Sequence, residues 1–450
     1  MAGIKSLTRG AVGGAIAGFV LTLAGTLPAA AQSITLAEAY NRMMGSEVEL
    51  QILGVQDKIA TEMVRQAKGQ RYPRVSLSLS YTQTQQNILS SDNTTFANAD
   101  SKYPTATITL SVHQPIYDPV RWRAMSVAQA QQALTTAQAE VARNQLARDL
   151  TRTYLDVASA QFEVTRSRTL VQARTQLERA LELQISAGRG DQMALTRAQG
   201  DTFSARSDLA DAELKQSDAL FALYRYTGPG YTSVSAAGGL AAIAPASFSQ
   251  TFTEARLLDM SPEVQVARAQ LALAEKQREQ TRANYRPTAE LTLNFTQQDT
   301  QGSLFGGGSN IQTTDVGVGV NWSIYEGGVR RSQMREADAR VEMAQLRVTQ
   351  AEDLAKRTYA SLIAAINVSN QHSAAVSNQL RLAEQALSDA KAQEQAGKVG
   401  VEVTMEQQLR RDILRVDIQS ARLRTMQLQA EVYALFGALD TNSLSGRTGG

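Results

Sequence analysis

Two stretches of the chain, PIYDPVRW at Pro115–Trp122 and SIYEGGVR at Ser323–Arg330, are variants of one phrase. Each ends a run of alternating apolar and polar residues and begins a run with helical periodicity. Asp118 is a favourable helix N-cap, and Pro119 suits the first helical position, where its missing N–H costs nothing. Glu326 and Gly327 are expected to start the helix in the second stretch. The phrase therefore predicts a strand followed by a helix, twice in one chain.

The duplication extends to both sides of the phrase. Upstream, YPRVSLSLSYTQ (72–83) matches YRPTAELTLNFTQ (285–297), and downstream SAGRG (186–190) matches QAGKVG (395–400). Matching segments in the same order predict two copies of one structural unit. The predicted division is a first repeat at 32–230, a linker at 231–252, a second repeat at 253–440 and a flexible C-terminal tail at 441–450.

Each copy contains two segments with the two-residue period of β-strands, apolar on one face and rich in Ser, Thr, Gly and Asn on the other. The apolar face needs an apolar partner, yet the opposite face is too polar for a core. A membrane β-barrel meets both demands, with lipid outside and water inside. The residues predicted to face lipid are Leu77, Leu79, Tyr81, Ile108, Leu110, Val112, Leu291, Leu293, Phe295, Val316, Val318, Val320 and Trp322.

Four strands are too few to close a barrel. An open edge in lipid leaves backbone groups without hydrogen bonds, and about eight strands form the smallest usual barrel. Several chains must therefore contribute to one barrel. A closed cyclic trimer would supply twelve strands.

The helical segments are long. From Asp118 to Gly188, and from Gly328 to Gly397, about 70 residues contain no Pro or Gly after the first turn, which predicts helices of ~100 Å. Apolar residues recur every seven positions, as at Leu134 and Val141, which indicates supercoiling around partner helices. Two shorter helical segments accompany each long one and would match its length if they stacked end to end.

The first 31 residues have the order of a secretory signal peptide: Lys5 and Arg9, then an apolar run, then Ala29, Ala30 and Ala31. A retained anchor helix is the alternative, and the short, Gly-rich run ending in an A-x-A site disfavours it. The chain has no Cys, so neither a lipidated N-terminus nor a disulfide is available. Without Lys5 and Arg9, 43 basic residues balance 43 acidic ones, which gives no reason to expect a nucleic-acid partner.

The chain resembles the TolC-like family of outer-membrane efflux and secretion ducts. The resemblance extends from LAEAY (36–40) to YALFGALD (433–440) and includes the duplicated Pro-x-x-x-Leu-x-Leu strand entry, the I-Y-D/E phrase and the A-G turns. It implies a mainly α chain with a membrane β-barrel: a trimeric, twelve-stranded barrel in the Gram-negative outer membrane, continued by a long α-helical coiled-coil tunnel across the periplasm. The linker would then be equatorial material between the repeats.

The resemblance also implies an activity and partners. The chain would be a passive conduit that exports small molecules or, as in type I secretion, polypeptides. It would act with a periplasmic adaptor (membrane fusion) protein and an inner-membrane pump of ABC or RND type, as a homotrimer in outer-membrane lipid. It would need no cofactor.

Candidate sites follow from the same resemblance. The helix tips are expected to form the periplasmic end, where the adaptor docks; they comprise Ala187, Gly188, Arg189, Gly190, Asp191, Ala396, Gly397, Lys398 and Val399. Glu402 and Glu406, one turn apart on the next helix, are the candidate aperture carboxylates, with solvated surface glutamates as the alternative. Arg189 and Lys398 are expected to hold the closed state by pairing across helices.

Other chemistry has little support in the sequence. His113 and His372 are the only histidines, and without Cys no metal cluster is expected around them. No nucleophile and base form a recognisable pair, so the chain is not expected to be an enzyme. A periplasmic coiled-coil adaptor or scaffold remains an alternative, although it leaves the four lipid-type strands unexplained, and an exported enzyme is a more remote one.

Overall fold

The computed structural model describes residues 33–87, 89, 100–188, 190–235, 252–302 and 307–439. The signal peptide predicted at 1–31, the tail predicted at 441–450, most of the linker and Arg189 lie outside these ranges. In chain order the elements are β1 (Ser33–Ile34), α1 (Leu36–Ser46), α2 (Val48–Gly69), β2 (Arg74–Asn87), β3 (Asp100–Tyr117), α3 (Pro119–Ser186), α4 (Gln192–Thr227), β4 (Ser233–Val234), α5 (Glu254–Met260), α6 (Pro262–Ala283), β5 (Thr288–Thr300), β6 (Ser309–Asn321), α7 (Val329–Gln395) and α8 (Val401–Leu435).

The two repeats share one order of elements: short helices, two strands, a long helix and a shorter helix. Their strands form one antiparallel sheet with the order β2-β3-β5-β6, so the two repeats meet where β3 pairs with β5. β2 and β6 are the sheet edges, and each belongs to a different repeat. Each edge strand thus has a ladder of backbone groups on its outer side for which this sheet offers no partner.

The two long helices begin differently. The Asp118 side chain accepts a hydrogen bond from the backbone N–H of Arg121 at 2.9 Å, with Pro119 at the first helical position, as the sequence predicts. In the second repeat Gly328 occupies the N-cap position with φ +86° and no side-chain cap. The prediction that Glu326 and Gly327 start this helix is therefore wrong, because Glu326 instead binds Arg330 at 2.8 Å, one turn along.

The helices lie side by side in a layer. α3, 68 residues long, packs against α2 and α4 and also against α6 and α8, while α7, 67 residues long, packs against α6 and α8. The end of α8 abuts the start of α6, because a Cβ on Gly437 would lie 2.7 Å from the Pro262 ring. Two shorter helices thus run along each long one. Among the described helices, none combines the length and apolar character needed to cross a membrane.

The largest core cluster lies at mid-height of the helical layer. Tyr154 of α3 is fully buried there, and its hydroxyl lies 3.0 Å from the carbonyl oxygens of Ile34 and Ser235, next to the parallel pair β1–β4. In the second repeat the Tyr359 hydroxyl donates to the Phe252 carbonyl at 2.8 Å. Burial raises the pKa of the Tyr154 phenol well above its usual range. One tyrosine from each long helix therefore anchors a non-helical segment of the chain to that helix by hydrogen bonds to backbone carbonyls.

Candidate functional site

The apolar face of the sheet is continuous across all four strands. The register places Leu77 opposite Leu110, Leu110 opposite Phe295, and Leu293 opposite Val316, so the residues predicted to face lipid share one side. On the edge strand β2 their side chains are more than 60% exposed. Trp322 lies one residue beyond β6, and its indole N–H donates to the Tyr285 carbonyl at 3.1 Å.

The opposite face of the sheet is polar. The hydroxyl oxygens of Thr109 and Thr296, on neighbouring strands, lie 3.4 Å apart, and those of Thr105 and Thr300 are equally close. A sheet with one apolar and one hydroxyl-lined face matches the wall of a water-filled membrane barrel.

Both long helices end in tight turns at the end of the layer far from the sheet. Gly188 and Gly397 follow the last helical residues with φ of +73° and +68°, a conformation that favours glycine. The Lys398 N–H bonds to the Gln393 carbonyl and the Gly397 N–H to the Glu394 carbonyl, both at 2.9 Å, which is a Schellman motif. No other atom lies within 4 Å of a Cβ built on either glycine, so both tips are open to solvent.

The first tip has an additional constraint. A Cβ on Gly190 would lie 2.5 Å from the backbone nitrogen of Ile185, so only glycine fits without movement of the turn. Asp191 then caps α4 by accepting a hydrogen bond from the Met193 N–H at 2.9 Å. In the second tip Ala396 is the C-cap of α7, and Val399 precedes the start of α8.

The two candidate aperture carboxylates both reach α3. Glu402 accepts a hydrogen bond from the Gln184 side chain at 3.0 Å. Glu406 lies 3.6 Å from the Arg174 guanidinium, which also lies 3.7 Å from Asp201 of α4. Arg174 of α3 therefore contacts both α4 and α8, the helices that follow the first and second tips.

Arg174 pairs across helices at this end of the layer, a role that the sequence led us to expect of Arg189 and Lys398. Lys398 forms no ion pair with any residue that the structure describes, and Arg189 lies outside those residues. The sequence carries no local signal for Arg174, because its two carboxylate partners lie on other helices and far along the chain.

Clustered metal ligands are absent from the described part of the chain, where no three His, Asp or Glu side chains converge. His113 and His372 lie on β3 and α7. The features that the structure does bring together are an amphipathic sheet, a long helical layer and two glycine turns at its far end. These define a class of protein: a duct whose wall is part barrel and part helical tunnel.

Comparisons with known proteins identify the family. The model of the outer membrane efflux protein family matches residues 40–229 and 255–438, and the chain belongs to this family. It is thus an outer-membrane efflux channel of the Gram-negative type, with a large helical periplasmic portion, and the family is one of channels rather than enzymes.

Solved structures share the fold at low sequence identity. CusC is 15% identical with a TM-score of 0.72, covering 90% of this chain and 92% of that one. VceC from Vibrio cholerae is 18% identical with a TM-score of 0.71, covering 90% and 97%. The Campylobacter jejuni CmeC outer membrane channel is 14% identical with a TM-score of 0.72, covering 90% and 87%. A search of curated protein sequences gave no significant match.

Proposed function

We propose that three copies of this chain enclose one passive conduit in outer-membrane lipid, which receives its cargo from an inner-membrane pump of the ABC or RND type. The observation that carries the proposal is the pair of free sheet edges, β2 and β6. In lipid each edge must find a backbone partner, and β6 of one copy next to β2 of the following copy supplies it. Such head-to-tail joining closes into a ring.

The helices repeat the arrangement of the sheet. α2 and α4 pack on one side of α3, and α7 packs on the far side of α6 and α8, so first-repeat and second-repeat helices form opposite margins of the layer. Exposed apolar residues follow both margins, among them Ile52 and Ile59 on α2 and Leu354, Val368 and Leu382 on α7. Their spacing of seven or fourteen residues suits coiled-coil contacts between copies.

The glycine turns are the proposed docking surface for the periplasmic adaptor. They are exposed, have a glycine at positive φ and lie at the end of the helical layer opposite the sheet. An adaptor that binds both turns of a chain would contact the ends of α3 and α7 together, and could therefore separate them from α4 and α8.

Arg174 is the proposed closure contact of this end. Its side chain is only 26% exposed, and the guanidinium lies between a carboxylate of α4 and one of α8. Outward movement of α8 breaks the pair with Glu406, while pairing restrains that movement by up to about 1 kcal/mol per copy, as for partly exposed ion pairs. Three copies restrain the aperture together.

Single-channel recording in planar bilayers tests this closure. Arg174→Gln is expected to raise the open probability or mean conductance of the channel, because the variant loses the contact that joins α3 to both α4 and α8. Arg166→Gln is the matched control: Arg166 also joins α3 to α8, through Asp417 at 3.3 Å, but has no ion pair with α4. Equal conductance in the wild type and Arg174→Gln would contradict the closure, whereas absence of any conductance in the wild type would contradict the conduit itself.

A further inference from the structure

The polar face of the sheet is organised in rows that run across its four strands. One row contains Ser78, Thr109, Thr296 and Thr313, and the row nearer the helices contains Ser76, Ser111, Asn294 and Asp315. Farther from the helices, one row contains Ser80, Thr107, Gln298 and Ile311, and the next contains Thr82, Thr105, Thr300 and Ser309. Over these rows the only charged side chain on this face is Asp315.

The face changes character where the strands meet the helices. Arg74 of β2 lies opposite His113 of β3, and His113 Nδ1 lies 3.8 Å from Glu290 Oε1 of β5. The side chains of His113 and Glu290 are 42% and 44% exposed, so water and solutes reach both. The ionisable side chains at this end of the face form a band, the ionisable band, that consists of Arg74, His113, Glu290 and Asp315.

A cavity of about 390 Å³ adjoins the band at the junction of sheet and helices. Arg74, His113 and Glu290 line it together with Arg121 of α3 and the end of α2 at Gly69. The Arg121 guanidinium is paired with Asp118, its Nε 3.0 Å from Oδ2, so its charge is already compensated. Within the lining of this cavity, the charged side chains other than Arg121 are therefore members of the ionisable band.

The band is not a product of the internal duplication. At the positions of the other repeat that correspond to Arg74, His113 and Glu290, the chain has Thr288, Asn321 and Ser76. Each chain therefore contributes one band, which spans both repeats. In a ring of three chains, three bands lie at a single level of the lumen.

We propose that the ionisable band sets the charge selectivity of the barrel lumen and that His113 makes this selectivity depend on pH. The inference rests on the proposed conduit. One arginine and two carboxylates leave each chain with one net negative charge while His113 is neutral, and protonation of His113 cancels it. Histidine ordinarily changes charge between pH 5 and 8, and rings of charge in a channel wall select ions of opposite sign.

Asymmetric pH in a planar bilayer separates this band from the periplasmic tip. The solution on the barrel side is changed from pH 7.5 to pH 5.5, while the solution on the tip side stays at pH 7.5, with a KCl gradient of low ionic strength to limit screening. The reversal potential gives the permeability ratio of K⁺ to Cl⁻. We expect the wild-type ratio to fall by about twofold or more on acidification, since the band loses its net negative charge.

The two histidines of the chain provide a matched pair of variants. His113→Asn is expected to hold its ratio constant between the two pH values, whereas His372→Asn, on an exposed face of α7, is expected to respond like the wild type. At pH 7.5, Glu290→Gln is expected to lower the ratio and Arg74→Gln to raise it. These two variants test the band even if His113→Asn fails to assemble.

Three results would overturn the inference: a pH response that persists in His113→Asn, a wild-type ratio independent of pH, or shifts of the same sign in Glu290→Gln and Arg74→Gln. Each of these requires a conducting channel. A wild-type protein that forms no channel would instead contradict the proposed conduit.

Discussion

At the scale of single residues, Glu402 and Glu406 both contact α3. Glu402 accepts a hydrogen bond from the Gln184 amide, and Glu406 pairs with the Arg174 guanidinium. Both carboxylates of α8 are therefore held against α3 in the part of the helical layer near the tips. Three copies around an axis would bring up to six carboxylates together at the proposed aperture, where they would attract cations.

The double variant Glu402→Ala with Glu406→Ala is expected to weaken both cation selectivity and block by divalent cations. Reversal potentials and titration with Mg²⁺ from the periplasmic side measure the two effects. Glu182→Ala is the control, because Glu182 is an exposed carboxylate near the same end of α3. Selectivity and divalent block that both survive in the double variant would show that the aperture carboxylates lie elsewhere.

Single residues also show where sequence reasoning stops. Asp118 was predictable as a cap because its partner is three residues away, within one turn. Arg174 was not, because its contacts with Asp201 and Glu406 depend on how three helices pack. Glu326 was assigned incorrectly, since a glutamate followed by two glycines resembles a cap, yet the αL conformation of Gly328 starts the helix without a side chain.

At the scale of elements, hydrophobic period predicted the strands and long helices well. The two-residue alternation fixes which face of each strand is apolar, and the register places those faces side by side. Element ends were less predictable: the alternation continues through Ile324, whereas β6 ends at Asn321. The pairing of β3 with β5, which makes one sheet from two repeats, could not be derived from period alone.

The helix tips give the prediction at this scale. Gly188→Val combined with Gly397→Val is expected to abolish export in cells while trimer yield stays close to that of the wild type, because each turn must distort or be covered by a bulky side chain. A β-branched residue at positive φ costs roughly 1–2 kcal/mol. Export of a pump substrate and trimer yield from purified membranes are the two readouts.

Gly228→Val is the matched control for backbone strain. Gly228 has the same φ of +73° with a ψ of 168°, a region that is essentially restricted to glycine, so valine there strains the backbone at least as much, but Gly228 ends α4 at the opposite end of that helix from the tip. Export is expected to continue in this variant. If export persists unchanged in the tip variant, adaptor docking lies at another surface.

At the scale of the whole molecule, the free edges of the sheet predict that the folded chain exists in the membrane as a trimer. Mass measurement of the detergent-solubilised complex is expected to give three times the mass of the mature chain. Arg74 to Asn87 would otherwise present a strand edge of 14 residues without partners. A stable, folded monomer in detergent would contradict this architecture.

The use of different repeats for the two edges has a genetic consequence. Every copy must pair its β2 with one neighbour and its β6 with the other. A mutant chain that is damaged only at the β6 margin can still pair through its intact β2 margin and therefore enters growing rings. In a cell that makes equal amounts of both products, random mixing leaves only about one ring in eight free of the damaged copy. Lesions at one margin of this chain are therefore expected to be dominant, whereas alleles that prevent folding altogether are expected to be recessive.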